Sequence, residues 1–325
     1  MADYDIFNGD ADGICALIQL RLAEPRDAVL ITGVKRDIAL LNRVQPQAGE
    51  RLTVLDMSMQ KNQQGLTAAL NCGASVLYID HHQAGDMPQH PLLQTHIHTA
   101  SNTCTGLIVD YLLQGRFSGW GIVAAYGDNL NRVADDYVAR LGFSPAQRTL
   151  LHNLGVAMNY NAYGAALNDL FYHPAELFRL AAPYTSPFDF IAAQSPVYQT
   201  LTEGFRDDLE QGLSIKASQL SERVALFILP DAPWARRISG VLGNELANRY
   251  PQRAHAVLTP EQNAGGHIRY QVSLRAPKSN LRGADVIAAE FDGGGRKGAA
   301  GINHLPAEQI APLFRRLDQY YLHEQ

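Results

Sequence analysis

The sequence predicts an α/β protein: an N-terminal domain on a doubly wound parallel sheet, followed by a smaller α/β C-terminal domain. Three observations carry this. Short apolar runs alternate with amphipathic stretches through the first hundred residues, the rhythm of crossover units that build a parallel sheet. A Pro- and Ser-containing stretch at residues 182–196 interrupts the chain, and strand-like and helix-like runs resume beyond it. The chain has 325 residues, 46% hydrophobic and 18% charged. That is enough for two buried cores and too apolar for disorder or a coiled coil.

Taken in order, strands are expected over residues 4–7, 28–34, 52–55, 75–79 and 96–99, and helices over 13–22, 37–44, 60–71 and 103–113. Residues 145–193 read as mostly helical, with aromatic insertions such as Phe171, Phe178 and Phe188. The domains are placed at 1–185 and 201–325, with 186–200 as linker. In the second domain a helix over 203–220 leads to a strand over 224–229 and a helix over 237–250. Strands over 254–258 and 268–275, a helix over 284–291, a Gly-rich loop and an amphipathic helix over 307–321 complete it.

Composition narrows the function classes. Lys and Arg total 27 against 32 Asp and Glu, a net charge of −5. Proteins that grip long nucleic acid usually carry a basic surplus, so long duplex nucleic acid is not an expected partner. Cys15, Cys72 and Cys104 are too few and scattered for a disulfide framework or a zinc knuckle. They fit a reducing cytoplasm, the expected location. No apolar run approaches the ~18 residues of a membrane span, and the acidic N-terminus does not read as an export signal. A homodimer stays open.

Acids stand where strands are expected to end. The first strand runs into Asn8-Gly9-Asp10-Ala11-Asp12-Gly13, the third into Asp56, and the fourth into Asp80-His81-His82. Asp128 follows the apolar stretch 121–125 and is counted with them. The carboxyl edge of an open parallel sheet is where ligands bind, so these residues should converge. Converging carboxylates repel in a partly dry cleft and call for cations or protons. About four carboxylates with an imidazole suit Mg²⁺ or Mn²⁺, the imidazole favouring Mn²⁺. The surplus of acids suggests two ions about 3.5–4 Å apart, able to hold a hydroxide for in-line attack on phosphorus. Taken singly, an Asp after a strand is most often a helix N-cap, and a His pair reads equally well as a surface feature; jointly they point to a site.

Asp80-His81-His82, with Asp10-x-Asp12-Gly13, Asp56 and Asp128, resembles the four motifs of the DHH phosphoesterases. That superfamily includes RecJ-like exonucleases, nanoRNases, cyclic-dinucleotide phosphodiesterases and manganese-dependent pyrophosphatases. The run Gly293-Gly294-Gly295-Arg296-Lys297-Gly298-Ala299-Ala300-Gly301 is similar to the signature of the DHH-associated domain, and Val272-Ser273-Leu274-Arg275 fits a strand of it.

The resemblance implies two ions, Mn²⁺ or Mg²⁺. Asp10 would bind one and Asp12 the other, Asp56 would bridge them, and His81 and Asp128 would complete the second site. Asp80 would orient His81, and His82 would face the substrate phosphate, so that Asp56, Asp80 and His82 form the catalytic set. Two departures thin the first metal site. Ile6 stands where many relatives have a metal-binding His, and Asn8 stands where RecJ-like members have an acid, leaving its carbonyl oxygen as a candidate ligand.

In the Gly-rich run Arg296 replaces a His. An arginine there offers a bidentate phosphate or guanine contact. Arg275, Gly294, Gly295 and Lys297 join it as expected substrate contacts. Lys35-Arg36 could reach the cleft or merely start a solvated helix, and Arg36 is kept as a further candidate. Ser101 or Asn102 should cap the helix after the fifth strand, whose N-terminus would line the phosphate site.

The expected function is hydrolysis of short linear oligonucleotides or dinucleotides, such as pGpG, to mononucleotides. The alternatives are a RecJ-like single-strand exonuclease, a cyclic-dinucleotide phosphodiesterase, and a degenerate nucleotide-binding module.

Overall fold

A computed structural model describes residues 2–262 and 268–323. The chain divides into two compact units, Met1–Phe205 and Arg206–Gln325.

In the first unit the strands are β1 (Asp3–Phe7), β2 (Val29–Ile31), β3 (Arg51–Leu55), β4 (Ser75–Asp80) and β5 (Leu93–Ile97). They form one sheet in the order β2-β1-β3-β4-β5 with every pairing parallel. The helices are α1 (Ala11–Ala23), α2 (Gln63–Asn71), α3 (Thr105–Leu112), α4 (Ser118–Gly127) and α5 (Asn131–Arg140). After them come α6 (Pro145–Asn161), α7 (Pro174–Ala181), α8 (Pro187–Ala193) and α9 (Ser195–Ser214).

Successive side chains on a strand point to opposite faces, and here both faces are covered. Phe7, Leu55 and Ile79 join a core with Ile14, Ile108, Val123 and Leu154 from α1, α3, α4 and α6. Their immediate neighbours Ile6, Val54 and Tyr78 join a second core with Leu40, Leu41 and Leu66. This is the doubly wound arrangement expected, and it explains why these strands read as continuous apolar runs. Helix α1 is buried from Ala11 to Gln19, so it is apolar nearly all round.

Three expectations need correction. The helix expected over 37–44 is only the 3₁₀ turn Leu40–Arg43. The stretch read as a linker at 186–200 is helical, being α8 and the start of α9. Ser186 and Pro187 mark a helix start rather than a break: Ser186 Oγ accepts the Phe188 N–H at 3.2 Å, and Pro187 takes the first turn. Phe190 of α8 is fully buried beside Trp120. The division between the units falls inside α9. That helix ends at Ser214, short of the expected 220.

The second unit contains β6 (Gln219–Leu220), β7 (Val224–Ile228), α10 (Pro233–Arg249), β8 (Ala254–Gln262) and β9 (Ile268–Arg275). Then follow α11 (Ala284–Ala289), β10 (Gly294–Arg296), β11 (Ala299–Pro306) and α12 (Ile310–His323). The sheet order is β10-β11-β9-β8-β7-β6, antiparallel except for β7 against β8. Leu226, Leu258, Leu274 and Ile302 pack on Ile287, Leu313 and Leu317.

The Gly-rich run is a hairpin rather than a loop: Gly294 pairs with Gly301, Gly295 with Ala300, and Arg296 with Ala299. A Cβ on Gly293 would fall 2.3 Å from the Gly301 carbonyl oxygen, and one on Gly295 2.5 Å from Ala300 Cα. Close approach within the sheet therefore requires both glycines. Around Gly294 nothing lies within 4 Å of such an atom.

Candidate metal centre

The site begins where β1 feeds α1. Asp10 is the N-cap of α1, and its Oδ1 accepts the N–H groups of Asp12 (3.0 Å) and Gly13 (3.2 Å). Asp12, in the first turn, turns both carboxylate oxygens to the start of α3. Oδ2 accepts the Thr105 N–H at 2.8 Å, and Oδ1 the Gly106 N–H at 2.7 Å. The N-cap of α3 is Cys104, whose side chain does not cap the helix, while Ser101 and Asn102 are exposed in the preceding turn. The capping expected of Ser101 or Asn102 is thus supplied by Asp12, because the chain folds a carboxylate onto those amides from a distant segment.

Asp56 follows β3 with φ of 57°, a left-handed conformation uncommon outside glycine. Its Oδ1 accepts the Thr105 hydroxyl at 3.2 Å. Asp80 is the fully buried last residue of β4, and His81 and His82 follow it. Asp128 does not end a strand: it is the C-cap of α4, and the apolar stretch 121–125 lies inside that helix. A short apolar run fits a buried strand or a buried helix equally, and α4 is buried on nearly all sides.

His81 Nε2 is the hub. It lies 3.3 Å from Asp56 Oδ1, 3.7 Å from Asp128 Oδ2 and 3.8 Å from Asp12 Oδ2. Asp80 Oδ1 meets His82 Nδ1 at 2.7 Å, so Asp80 orients His82 and not His81 as expected. Burial, then the charges of Asp12 and Asp10, push the Asp56 carboxyl well above its ordinary range. Burial and the same two neighbours raise Asp128 to about 6. The hydrogen bond to Asp80 raises His82.

Asp10 is engaged differently. Its Oδ2 pairs with Lys35 Nζ at 2.6 Å. Burial favours the neutral amine, and Asp10 more than offsets that, holding Lys35 above its ordinary range. Asn8 is spent on the backbone: Oδ1 accepts the Asp10 N–H, and Nδ2 donates to the Lys35 carbonyl, both at 3.3 Å. Arg36 is exposed. Sequence reasoning missed Thr105 and Asn159 as supporting residues, since neither sits in a recognisable local pattern.

The residues present fit a divalent cation. Asp12, His81 and Asp128 offer atoms within 4.8 Å of one another, as do Asp56, His81 and His82. Oxygen with imidazole is a donor set for Mn²⁺ or Mg²⁺. Burial, and then mutual repulsion, raise the carboxyls of Asp56 and Asp128, and such a charge would offset both.

Within the second unit, Asn244, Asn248, Arg275, Lys278, Leu281 and Arg296 line a cavity of about 390 Å³. Arg275 is held there. Its Nε donates to Asn244 Oδ1 (2.5 Å), Nη1 to Ser273 Oγ (3.0 Å) and the Leu274 carbonyl (2.8 Å), and Nη2 to the Gly240 carbonyl (3.0 Å). Arg296 and Lys297 are exposed, and Lys297, Gly294 and Gly295 lie outside the cavity lining.

Comparison with protein families and with curated proteins gives no match. Solved structures do match. The exonuclease RecJ bound to manganese superposes with a TM-score of 0.63 at 14% identity, covering 99% of this chain and 90% of that one. A DHH domain described as a member of a family of ribosomal proteins gives 0.61 at 12% identity, covering 99% and 86%. The pGpG-specific phosphodiesterase PggH from Vibrio cholerae gives 0.56 at 13% identity, covering 99% and 100%. The chain has the fold of DHH-domain proteins.

Proposed function

We propose that this chain is a metal-dependent phosphodiesterase that hydrolyses short linear oligonucleotides or dinucleotides, pGpG among them, to mononucleotides. The observation that carries this reading is the convergence of Asp12, Asp56 and Asp128 on His81 Nε2, beside the carboxyl ends of β1, β3 and β4. The fold it shares with a manganese-bound exonuclease and a pGpG phosphodiesterase supports phosphodiester chemistry and Mn²⁺. The net charge of −5 supports a short substrate over a long one.

Asp12, Asp56, His81 and Asp128 would hold a divalent ion, Mn²⁺ or Mg²⁺, which would supply Lewis-acid polarisation of a phosphoryl oxygen and a more acidic water. The chain's own residues do the rest. Thr105 and the α3 amides hold Asp56 and Asp12 in place. Asp80 occupies Nδ1 of the exposed His82. The opposite nitrogen is then available to donate a proton toward a phosphate oxygen or the leaving alkoxide. Arg296 and Lys278 offer the cavity of the second unit to a nucleotide phosphate or base, and Arg275 shapes its wall. Cys15, Cys72 and Cys104 are all free thiols, which supports a reducing, cytoplasmic setting.

The test is a product time course with Mn²⁺ on pGpG, other linear dinucleotides, a cyclic dinucleotide and 5-mer and 24-mer single strands. Dinucleotides should vanish into mononucleotides while the 24-mer stays largely intact. Equal degradation of the 24-mer would favour a RecJ-like exonuclease. No turnover of any substrate would contradict the enzyme reading.

A further inference from the structure

The carboxylate of Asp10 already holds a cation. Its Oδ1 is committed to the amides of Asp12 and Gly13, and its Oδ2 meets the Lys35 ammonium at 2.6 Å. Lys35 is fixed along its length. Its N–H donates to the Ala162 carbonyl at 2.9 Å, its carbonyl accepts Asn8 Nδ2, and Nζ donates to Asn159 Oδ1 at 2.8 Å, 5.9 Å from the Tyr163 ring centre. The two positions that could have completed a metal site around Asp10 are otherwise used. Ile6 is apolar and buried, and the Asn8 oxygen accepts the Asp10 amide. Among the described residues, the atoms that converge in metal-binding geometry come from Asp12, Asp56, His81, His82 and Asp128, and not from Asp10.

We propose that Lys35 is a built-in cation that takes the place beside Asp10, so that this chain binds one divalent ion rather than a pair. The inference rests on the metal reading above and refines its stoichiometry. Asp56 links the two charges: it stands close enough to Asp10 and Lys35 to act on them electrostatically, and its Oδ1 lies 3.3 Å from His81 Nε2. An ammonium carries three N–H groups. Two are used by Asp10 and Asn159, and the third is left for an anionic oxygen of the substrate. A lysine held this way supplies fixed positive charge without the ligand exchange of a second ion.

The test counts metal without using activity. The full chain is loaded with Mn²⁺, freed of excess by gel filtration, and measured by elemental analysis and EPR. About one Mn²⁺ per chain with an uncoupled six-line spectrum is expected. Asp10→Asn, which keeps the cap on α1, should leave the count and the affinity unchanged within about threefold. Lys35→Met should gain a second Mn²⁺ and a spin-coupled spectrum. Two coupled ions in the wild type, a lower count in Asp10→Asn, or a Lys35→Met protein that still holds one ion would each overturn the inference while leaving the metal-centre reading intact. Wild-type protein that retains no Mn²⁺ would overturn both.

Discussion

The carboxylate of Asp12 accepts the backbone N–H of Thr105, at 2.8 Å, across 93 residues of sequence. The same oxygen lies 3.8 Å from His81 Nε2. One bond therefore caps α3 and aims an acid at the hub of the site. Thr105 also donates its hydroxyl to Asp56 Oδ1, so the first residue of α3 holds two of the converging acids. Ligands oriented this way before the ion arrives need less rearrangement on binding.

Thr105→Val tests that role. Valine keeps the backbone N–H to Asp12 and the shape of the side chain, and it removes only the hydroxyl on Asp56. Mn²⁺ affinity should weaken by about tenfold, as when a group supporting a metal ligand is lost. Isothermal titration measures it, with circular dichroism unchanged.

Asp128 gives a pH signature. Its folded carboxyl titrates at about 6, against an ordinary value of 3.8. A raised acid contributes stability below its unfolded value and loses it as pH rises through the folded one. Metal-free Asp128→Asn should therefore gain on the wild type between about pH 4 and pH 7, at about 2–4 °C of Tm per kcal/mol. Mn²⁺ should reverse the order by stabilising only the wild type. Wild-type Mn²⁺ affinity should also fall below about pH 6, where protons compete for the ligands. Thermal melts across that range would settle the sign.

His82 should set an alkaline limit. The hydrogen bond to Asp80 raises it above the ordinary 6.5, so it stays protonated further into neutral pH. Asp80→Asn removes the charge but keeps an acceptor. The alkaline limb of kcat should move to lower pH, with Mn²⁺ affinity retained. An unmoved limb would remove His82 from proton donation.

Arg275 and Arg296 should separate. Arg275→Ala breaks four hydrogen bonds within its own unit. It should lower Tm, at a cost of about 1–3 kcal/mol for acceptors left unpaired. Arg296 is exposed on β10, so Arg296→Ala should raise KM and leave Tm where it was. Melting curves and steady-state kinetics on the pair make the comparison.

The chemistry of the site was more legible in the sequence than its scaffolding. Asp12, Asp56, Asp80 and the His pair stand at or just past strand ends, where a local apolar pattern stops, so their convergence could be read from the order of elements. Asp128 belongs with them but sits on a helix, because a short apolar run does not distinguish the two elements. Lys35 reaches Asn159 across 124 residues, and Asp12 reaches Thr105 across 93. Contacts of that range leave no local pattern. The glycines of the C-terminal run look like a loop, and only the close packing of Gly293 and Gly295 on β11 shows why the hairpin needs them. Ser186 and Pro187 read as a break for the same reason that they start a helix well: both disfavour the interior and suit the first turn.

The most direct test is a crystal structure of the Mn²⁺-loaded protein with data collected at the manganese absorption edge. We expect an anomalous peak within coordination distance of Asp12, Asp56, His81 and Asp128, and none at Asp10, where Lys35 stands. A peak ligated by other residues, or none after soaking with Mn²⁺, would contradict the assignment of this cluster as the metal centre.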